Sequence, residues 1–518
     1  MNLSRSAFWW RFNLVIAVLI GIVYTLSFYP GQDWGGDYSQ YIHHAANLIE
    51  GKHYSDTGYI ISDISEFVGP AAYPPVFPFL LAPVYAITGL DFEALKLVSL
   101  IPFCLALLLL PALFKAKVPF AYCSVIIVLV GANPFFWEYS NRVMSDFTFM
   151  LFTYLSLFLM QRNVDAQSGG NQTTKGATAC NGLLLGITMY LAFGSREIGI
   201  VLPLCILTYD LIWRRRLSLL TIISWLTFAT LAYAQHTLLQ ANFTPQPIQH
   251  NLAALAAQFS APAASSHLAF INLDPASILD RILRYRWALN EFLPAQHNAF
   301  FSGLNTLLFN GAIVLGIAGF FIAMIRKVTV LEIFVGGYIA VLLIFGSPTY
   351  PRYLLPLVPL GIYYVFICID AVFDRIHSPT LRNTALGTAL ALVFISYGNG
   401  IANQPFTNQD MGITHPDAQA MFEFVRNHTD PDDTIVFVKP RTMALLTNRQ
   451  SIGLLRMPDP GPELINRFFD AAEADYLVDM NLNVWARPLT HSDLPSERFQ
   501  RVFRNEFFAV YQYRHADE

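Results

Sequence analysis

The chain has 518 residues, of which 54% are hydrophobic and 14% aromatic, but only 13% are charged. An average soluble domain carries about 25% charge, so this composition excludes an ordinary cytosolic enzyme, a disordered chain and a nucleic-acid-coating protein. A formal net charge of −4 likewise gives no reason to expect a polyanion partner. The expectation is a polytopic α-helical membrane protein.

A membrane-crossing helix takes about 17–25 mainly apolar residues. In chain order the candidate spans are 12–29, 92–114, 118–136, 147–161, 180–194, 197–213, 217–235, 301–325, 328–346, 353–373 and 383–402, about eleven in all. If Arg5 and Arg11 hold the N-terminus in the cytoplasm, the gaps expected inside carry Lys115 and Lys117, Arg162 and Lys175, Arg214–Arg216, Arg326 and Lys327, and Arg375 and Arg382. Every one is basic, as the positive-inside rule requires. Residues 74–89 are apolar but hold four prolines within 16 residues. They are read as a segment at the outer interface or dipping into the membrane against protein, because counting them as a span would turn Arg214–Arg216 outward. Two long outer loops follow, 30–91 and 236–300, with the C-terminus also outside.

The first outer loop opens with Gly35-Gly36-Asp37-Tyr38-Ser39-Gln40-Tyr41, leading into an amphipathic helix to about Glu50. Asp37 has two readings. One is a helix N-cap; the other is a carboxylate held at the membrane face as a general base, with a pKa raised by nearby apolar lipid. Asp146, in Asn141-Arg142-Val143-Met144-Ser145-Asp146, lies where the third span has emerged and the fourth begins. It too is an N-cap or a site carboxylate, with Arg142 as a candidate partner. Arg196, in Gly194-Ser195-Arg196-Glu197, is either a salt-bridge partner of its neighbour or a phosphate ligand.

Arg281, Arg284 and Arg286 lie late in the second outer loop, and Arg352 follows in Pro348-Thr349-Tyr350-Pro351-Arg352-Tyr353. Against the positive-inside trend, such arginines form a candidate phosphate-binding set, lined by Tyr73, Tyr350 and Tyr353 at headgroup level. His43 and His44 are adjacent, so on a helix they diverge and cannot share a metal in the manner of an i, i+4 pair. The five cysteines lie in apolar runs without metal-ligand spacing. Asn242-Phe-Thr and Asn427-His-Thr match the N-glycosylation sequon.

Beyond residue 402 the composition changes. Residues 403–518 hold 28 charged side chains in 116 positions, against 40 in the first 402. A boundary is therefore placed there, with 1–402 as the membrane domain and 403–518 as a soluble extracytoplasmic α/β domain. Helical patterns at Asp417–His428 and Glu463–Ala474 alternate with strand-like Thr434–Val438, Tyr476–Val478 and Phe507–Tyr513. No phosphate-binding glycine motif occurs in it, and packing or acceptor docking is its expected role.

Taken in order, Asp37 with the helix ending Ala45-Ala46-Asn47-Leu48-Ile49-Glu50-Gly51-Lys52-His53-Tyr54, then Tyr73-Pro74-Pro75, the Asp146 turn, Ser195-Arg196-Glu197-Ile198-Gly199 and Tyr350-Pro351-Arg352-Tyr353-Leu354-Leu355-Pro356 form a pattern. It resembles the protein O-mannosyltransferase-like branch of the GT-C membrane glycosyltransferases, which includes the lipid A aminoarabinose transferases. The resemblance covers most of residues 10–400. It implies a hexosyl- or pentosyl-type transferase in a bacterial inner membrane, using a polyprenyl- or dolichyl-phosphate sugar and a glycan, lipid or protein acceptor. It further implies Asp37 as base or acceptor-positioning group and Asp146 as a second catalytic carboxylate. A divalent ion such as Mg or Mn is compatible with two carboxylates but not demanded. Where some members carry Lys or His before the Pro-Pro pair, this chain has Tyr73, which shifts phosphate binding toward arginines. The competing class is a transporter or lipid-linked-glycan flippase, in which charges would sit near the midplane of broken helices.

Overall fold

The computed structural model describes residues 3–65, 69–114, 117–168, 174–239, 246–259, 271–293, 299–345, 349–376, 378–403, 412–455, 461–481, 494 and 497–515. Among them, five helices are long and apolar enough to cross a membrane: Ala7–Leu26, Phe92–Phe114, Lys175–Phe193, Ser302–Arg326 and Pro379–Ala402. Leu14, Val15, Val18, Leu19 and Ile22 of the first are each about half exposed on the isolated chain. Such a stripe needs hydrocarbon rather than water around it, which makes this a multi-pass membrane protein.

The stretch expected as one span over 118–136 is two helices, Phe120–Gly131 and Pro134–Ser140, bent by 59°. The cause is local. Asn133 takes extended backbone and its side chain accepts from the Phe135 N–H, while Pro134 starts a new first turn. The other candidate stretches are also helical, over Asp146–Ser168, Leu219–Leu239, Val330–Ile344 and Val358–Ile376, and over 197–214, where a 3-10 turn, a short α-helix and a π-helical turn follow one another. These fall short of a clear span by length or apolar content. Close helix contact is made possible by small residues: a Cβ on Gly182 would come 3.1 Å from the Leu220 carbonyl oxygen, and one on Gly186 2.7 Å from that of Ser224. Gly182-Leu-Leu-Leu-Gly186 is thus a small-xxx-small seam against Leu219–Leu239.

The stretch 30–91 is built on a helix, Asp37–Glu50, which stops where Gly51 takes φ 68° and returns its N–H to the Asn47 carbonyl. Residues 74–89 contain a second helix, Val76–Thr88, that tolerates Pro83 inside it and packs on the first. The stretch 236–300 holds helices Gln246–Phe259 and Pro275–Asn290. The Asn242 sequon lies outside the described residues.

The C-terminal region folds around one sheet with strands β1 (Tyr59–Ile60), β2 (Thr434–Phe437), β3 (Gln450–Ile452), β4 (Tyr476–Met480), β5 (Phe499–Arg504) and β6 (Phe508–Tyr513) in the order β1-β3-β2-β4-β6-β5. The first four positions are mutually parallel, and β6 and β5 close the sheet antiparallel. Helices Pro416–His428, Pro440–Thr447 and Pro462–Ala472 each begin with proline in the first turn, where its missing N–H costs nothing. β1 comes from the stretch 30–91, pairing Tyr59 with Ser451 and Ile60 with Ile452. Trp34, from the same stretch, packs its ring among Phe422, Phe437 and Phe508. The sheet and the stretch 30–91 therefore share one hydrophobic core.

Candidate active site

Asp37 is the first residue of its helix, but the N-cap is Gly36 and no side chain caps that end. The capping reading therefore fails for Asp37, and its carboxylate is turned to other partners. Its Oδ2 accepts from Arg352 Nη1 at 2.6 Å; its Oδ1 accepts from the Tyr73 hydroxyl at 2.6 Å and from Arg441 Nη1 at 3.3 Å. Arg441 Nη1 also donates to the Tyr73 hydroxyl at 3.0 Å. Arg352 stands on the 3-10 turn Pro351–Leu354, with its guanidinium over the rings of Tyr350 and Tyr353.

Burial alone would disfavour the ionised form of Asp37. The Arg352 and Arg441 charges and the hydrogen bonds from Tyr73 and Arg352 outweigh it, holding the carboxyl well below the usual range. This corrects the expectation of a raised pKa: two guanidiniums, rather than lipid, form its surroundings. The Tyr73 phenol moves the other way, pushed up by burial and then by the Asp37 charge.

Tyr73 is itself bracketed. Its N–H donates to His44 Nε2 at 3.1 Å, and its carbonyl accepts from the Tyr54 hydroxyl at 2.7 Å. Because Nε2 accepts, the His44 proton must be on Nδ1, which donates to the Tyr54 carbonyl at 2.7 Å. Burial pushes the His44 pKa down to about 3, so the ring stays neutral.

Asp146 begins the helix Asp146–Ser168. Its Oδ2 accepts from the Tyr139 hydroxyl at 2.7 Å, and its Oδ1 is ion-paired with Arg196. Arg142, the partner expected from sequence, instead binds Glu138 at 2.9 Å and Asp33 at 3.6 Å. Arg196 reaches Asp146 rather than its neighbour Glu197. The two aspartate centres meet at Tyr353, whose ring lies under Arg196 at 5.1 Å and Arg352 at 5.5 Å. Tyr41 adds a second link, its hydroxyl 2.9 Å from Ser145 Oγ and its ring 4.7 Å from that of Tyr73.

Asp37, Tyr73, Asp146, Arg196, Tyr350, Arg352 and Tyr353 are thus gathered together. Arg286 is not. It is exposed on Pro275–Asn290 and makes a long contact of 3.4 Å to Asn310. Arg281 binds the Leu343 carbonyl, and Arg284 pairs with Asp280. Sequence reasoning missed Arg441, which enters on Pro440–Thr447 from the sheet region, and His44 and Tyr139, whose roles depend on partners invisible in the sequence.

Arg196, Arg352 and Arg441 face Asp37 and Asp146, leaving one cation in excess, and the buried Arg352 Nε has no partner among the described residues. Such a centre accepts an anion. It does not suit a divalent cation: both carboxylates are occupied by guanidiniums, which would repel one. Among the described residues no group of three or more His, Cys, Asp or Glu side chains gathers elsewhere to hold a metal.

No family model and no curated protein sequence matches the chain. Its similarity appears in three dimensions. The oligosaccharyltransferase of Archaeoglobus fulgidus, in complex with Zn and sulfate, is similar at TM-score 0.57 and 16% identity, over 90% of this chain and 68% of that one. The archaeal oligosaccharyltransferase AglB from Archaeoglobus fulgidus, in complex with an inhibitory peptide and a dolichol-phosphate, matches at TM-score 0.58 and 13% identity over 92% and 70%. ArnT from Cupriavidus metallidurans in the apo state matches at TM-score 0.51 and 12% identity, covering 98% of both chains. The chain thus shares its overall fold with the archaeal oligosaccharyltransferase and with ArnT.

Proposed function

We propose that the protein is a glycosyltransferase that moves a hexosyl- or pentosyl-type sugar from a polyprenyl- or dolichyl-phosphate carrier to an acceptor at the extracytoplasmic membrane face. The observation that carries this reading is the arginine-rich centre, with one cation more than its two aspartates balance. The fold supports it, and so does the dolichol-phosphate bound to the archaeal oligosaccharyltransferase.

The acceptor hydroxyl attacks the anomeric carbon as the bond from that carbon to the phosphate oxygen breaks. The polyprenyl phosphate departs with the electron pair, and a single displacement inverts the anomeric centre. Charge growing on the leaving phosphate is stabilised by guanidinium N–H groups in a partly dehydrated site, with Arg352 the first candidate. Asp37 is a weak base while paired with two arginines. A donor phosphate that engages those arginines neutralises their charge, raises the basicity of Asp37 and lets it take the acceptor proton. Donor binding thereby precedes base activation. Asp146, fixed by Tyr139 and Arg196, holds Arg196 beside Tyr353 in the same centre.

We further propose about eleven spans, with the N-terminus in the cytoplasm, the site and the region after residue 403 outside, and the bacterial inner membrane as location. The basic loops support this orientation. A tag at Arg215 that reacts from the same side as one after Asn448 would reject it. The function is tested by incubating purified protein with a polyprenyl-phosphate sugar and measuring sugar transferred or released. Arg352→Lys should retain more transfer than Arg352→Ala, mainly through donor KM. Intact donor carried across vesicle membranes without cleavage would favour a flippase.

A further inference from the structure

We propose that Arg441, supplied by the sheet region, is a positioning residue of the transfer centre, holding Tyr73 and Asp37 in register with Arg352. This rests on the transferase reading above.

The Arg441 side chain is only 8% exposed. Its guanidinium lies over the rings of Tyr59 and Tyr73 and donates to both Tyr73 and Asp37. Its place is carved out by Gly69, where an added Cβ would overlap the guanidinium, and the Gly69 N–H donates in turn to the Tyr59 hydroxyl. Attachment of the sheet to the stretch 30–91 does not need this arginine. The pairing of β1 with β3 and the insertion of Trp34 among Phe422, Phe437 and Phe508 already secure it. Burying a guanidinium is costly unless an anion and further hydrogen bonds meet it. Here the only carboxylate it meets is Asp37, among the described residues. Arg441 therefore does for Asp37 Oδ1 and Tyr73 what Arg352 does for Oδ2, but from the other side of the protein's architecture.

The experiment compares full-length Arg441→Gln, Arg441→Lys and Gly69→Ala with the parent in nanodiscs, measuring kcat, donor KM, the pH profile and the melting temperature. Arg441→Gln should lower kcat on the order of 10²-fold, the cost of a small misplacement in a catalytic site, with the melting temperature nearly kept. Arg441→Lys should recover part of that loss. Gly69→Ala, which displaces the guanidinium without removing any charge, should lower kcat in the same direction. The acid limb of kcat/KM should move to higher pH in Arg441→Gln, because one of the two guanidiniums hydrogen-bonded to Asp37 is gone while Arg352, Tyr73, Tyr41 and Lys439 remain. Parental kcat and pH profile in Arg441→Gln would overturn the proposal while leaving the transferase reading standing. Loss of transfer only in proportion to lost folded protein, in all three variants, would also overturn it and make Arg441 a docking contact. A parent that transfers no sugar would overturn the transferase reading and this role with it.

Discussion

The protein buries carboxylates at both ends of its helical bundle, and the two ends use them differently. Away from the candidate site, Glu332 closes a capping box with Thr329 and accepts from Lys117 at 2.9 Å and Tyr364 at 3.3 Å. Asp210 accepts from Arg214 at 3.1 Å, the Ser218 N–H at 2.9 Å and the Thr221 hydroxyl at 2.7 Å. Each meets one cation, and each ties a helix end to its neighbour. At the other end, three arginines meet two aspartates, and two of those arginines, Arg196 and Arg352, share the Tyr353 ring. A buried ion pair by itself is weak evidence of function. Imbalance among paired groups is the better signal, because an arriving anion can neutralise the excess cation.

The sharpest way to break this contrast is Asp37→Asn. Transfer should fall by about 10²–10⁴-fold, the usual worth of general-base assistance, while binding of a polyprenyl phosphate is kept or tightened because a competing anion has gone. Parental transfer by folded Asp37→Asn protein would reduce Asp37 to a structural partner of Arg352. Glu332→Gln should do the reverse. It should cost about 1–3 kcal/mol of stability through the weakened charged hydrogen bonds and leave transfer per folded molecule unchanged, as measured by melting and specific activity. A drop in specific activity would show that the two ends are coupled.

His44 sharpens the contrast through pH. Its folded pKa, about 3, lies below that of the unfolded chain, so protons bind the unfolded state better. Stability must therefore fall as pH drops below about 6.5, by about 2 kcal/mol between pH 7 and 5. His44→Asn should flatten this dependence in melting experiments; an unaltered slope would assign it to other groups, of which His43 is the nearest, with a pKa pushed down to about 4. The smallest effect belongs to Arg286→Ala. That side chain is exposed and outside the centre, so stability should change by less than about 0.5 kcal/mol with parental kinetics. A raised donor KM would return Arg286 to the site.

Much of the helical frame was legible because lipid exposure is written directly in hydropathy: each of the apolar stretches falls on helix. The bend at Asn133 was less so, since its apolar flanks read as one continuous span. Asp37, Asp146, Arg196 and Arg352 stood out because charge at the mouth of an apolar helix needs a reason. Their pairing did not, since Arg142 is closer to Asp146 in sequence than Arg196 is. Arg286 stood out for the same reason as Arg352, yet an outward-facing helix can carry charge at no cost. Arg441 gave no signal at all, because an arginine in a region with the charge content of a soluble domain is unremarked until the fold carries it to Asp37.

The pairing of Asp37 with Arg441 spans 404 residues, and β3, which fixes β1, is also encoded late in the chain. At roughly 5–20 residues per second, the ribosome needs about 20–80 s to pass from one to the other. During that interval the stretch 30–91 is already made, while its second arginine and its place in the sheet do not yet exist. The centre can be completed only after the region beyond residue 403 has been synthesised and has folded back onto the loop. Truncated or stalled chains would carry Asp37 and Arg352 without Arg441, so the order of synthesis itself withholds a finished site from unfinished protein.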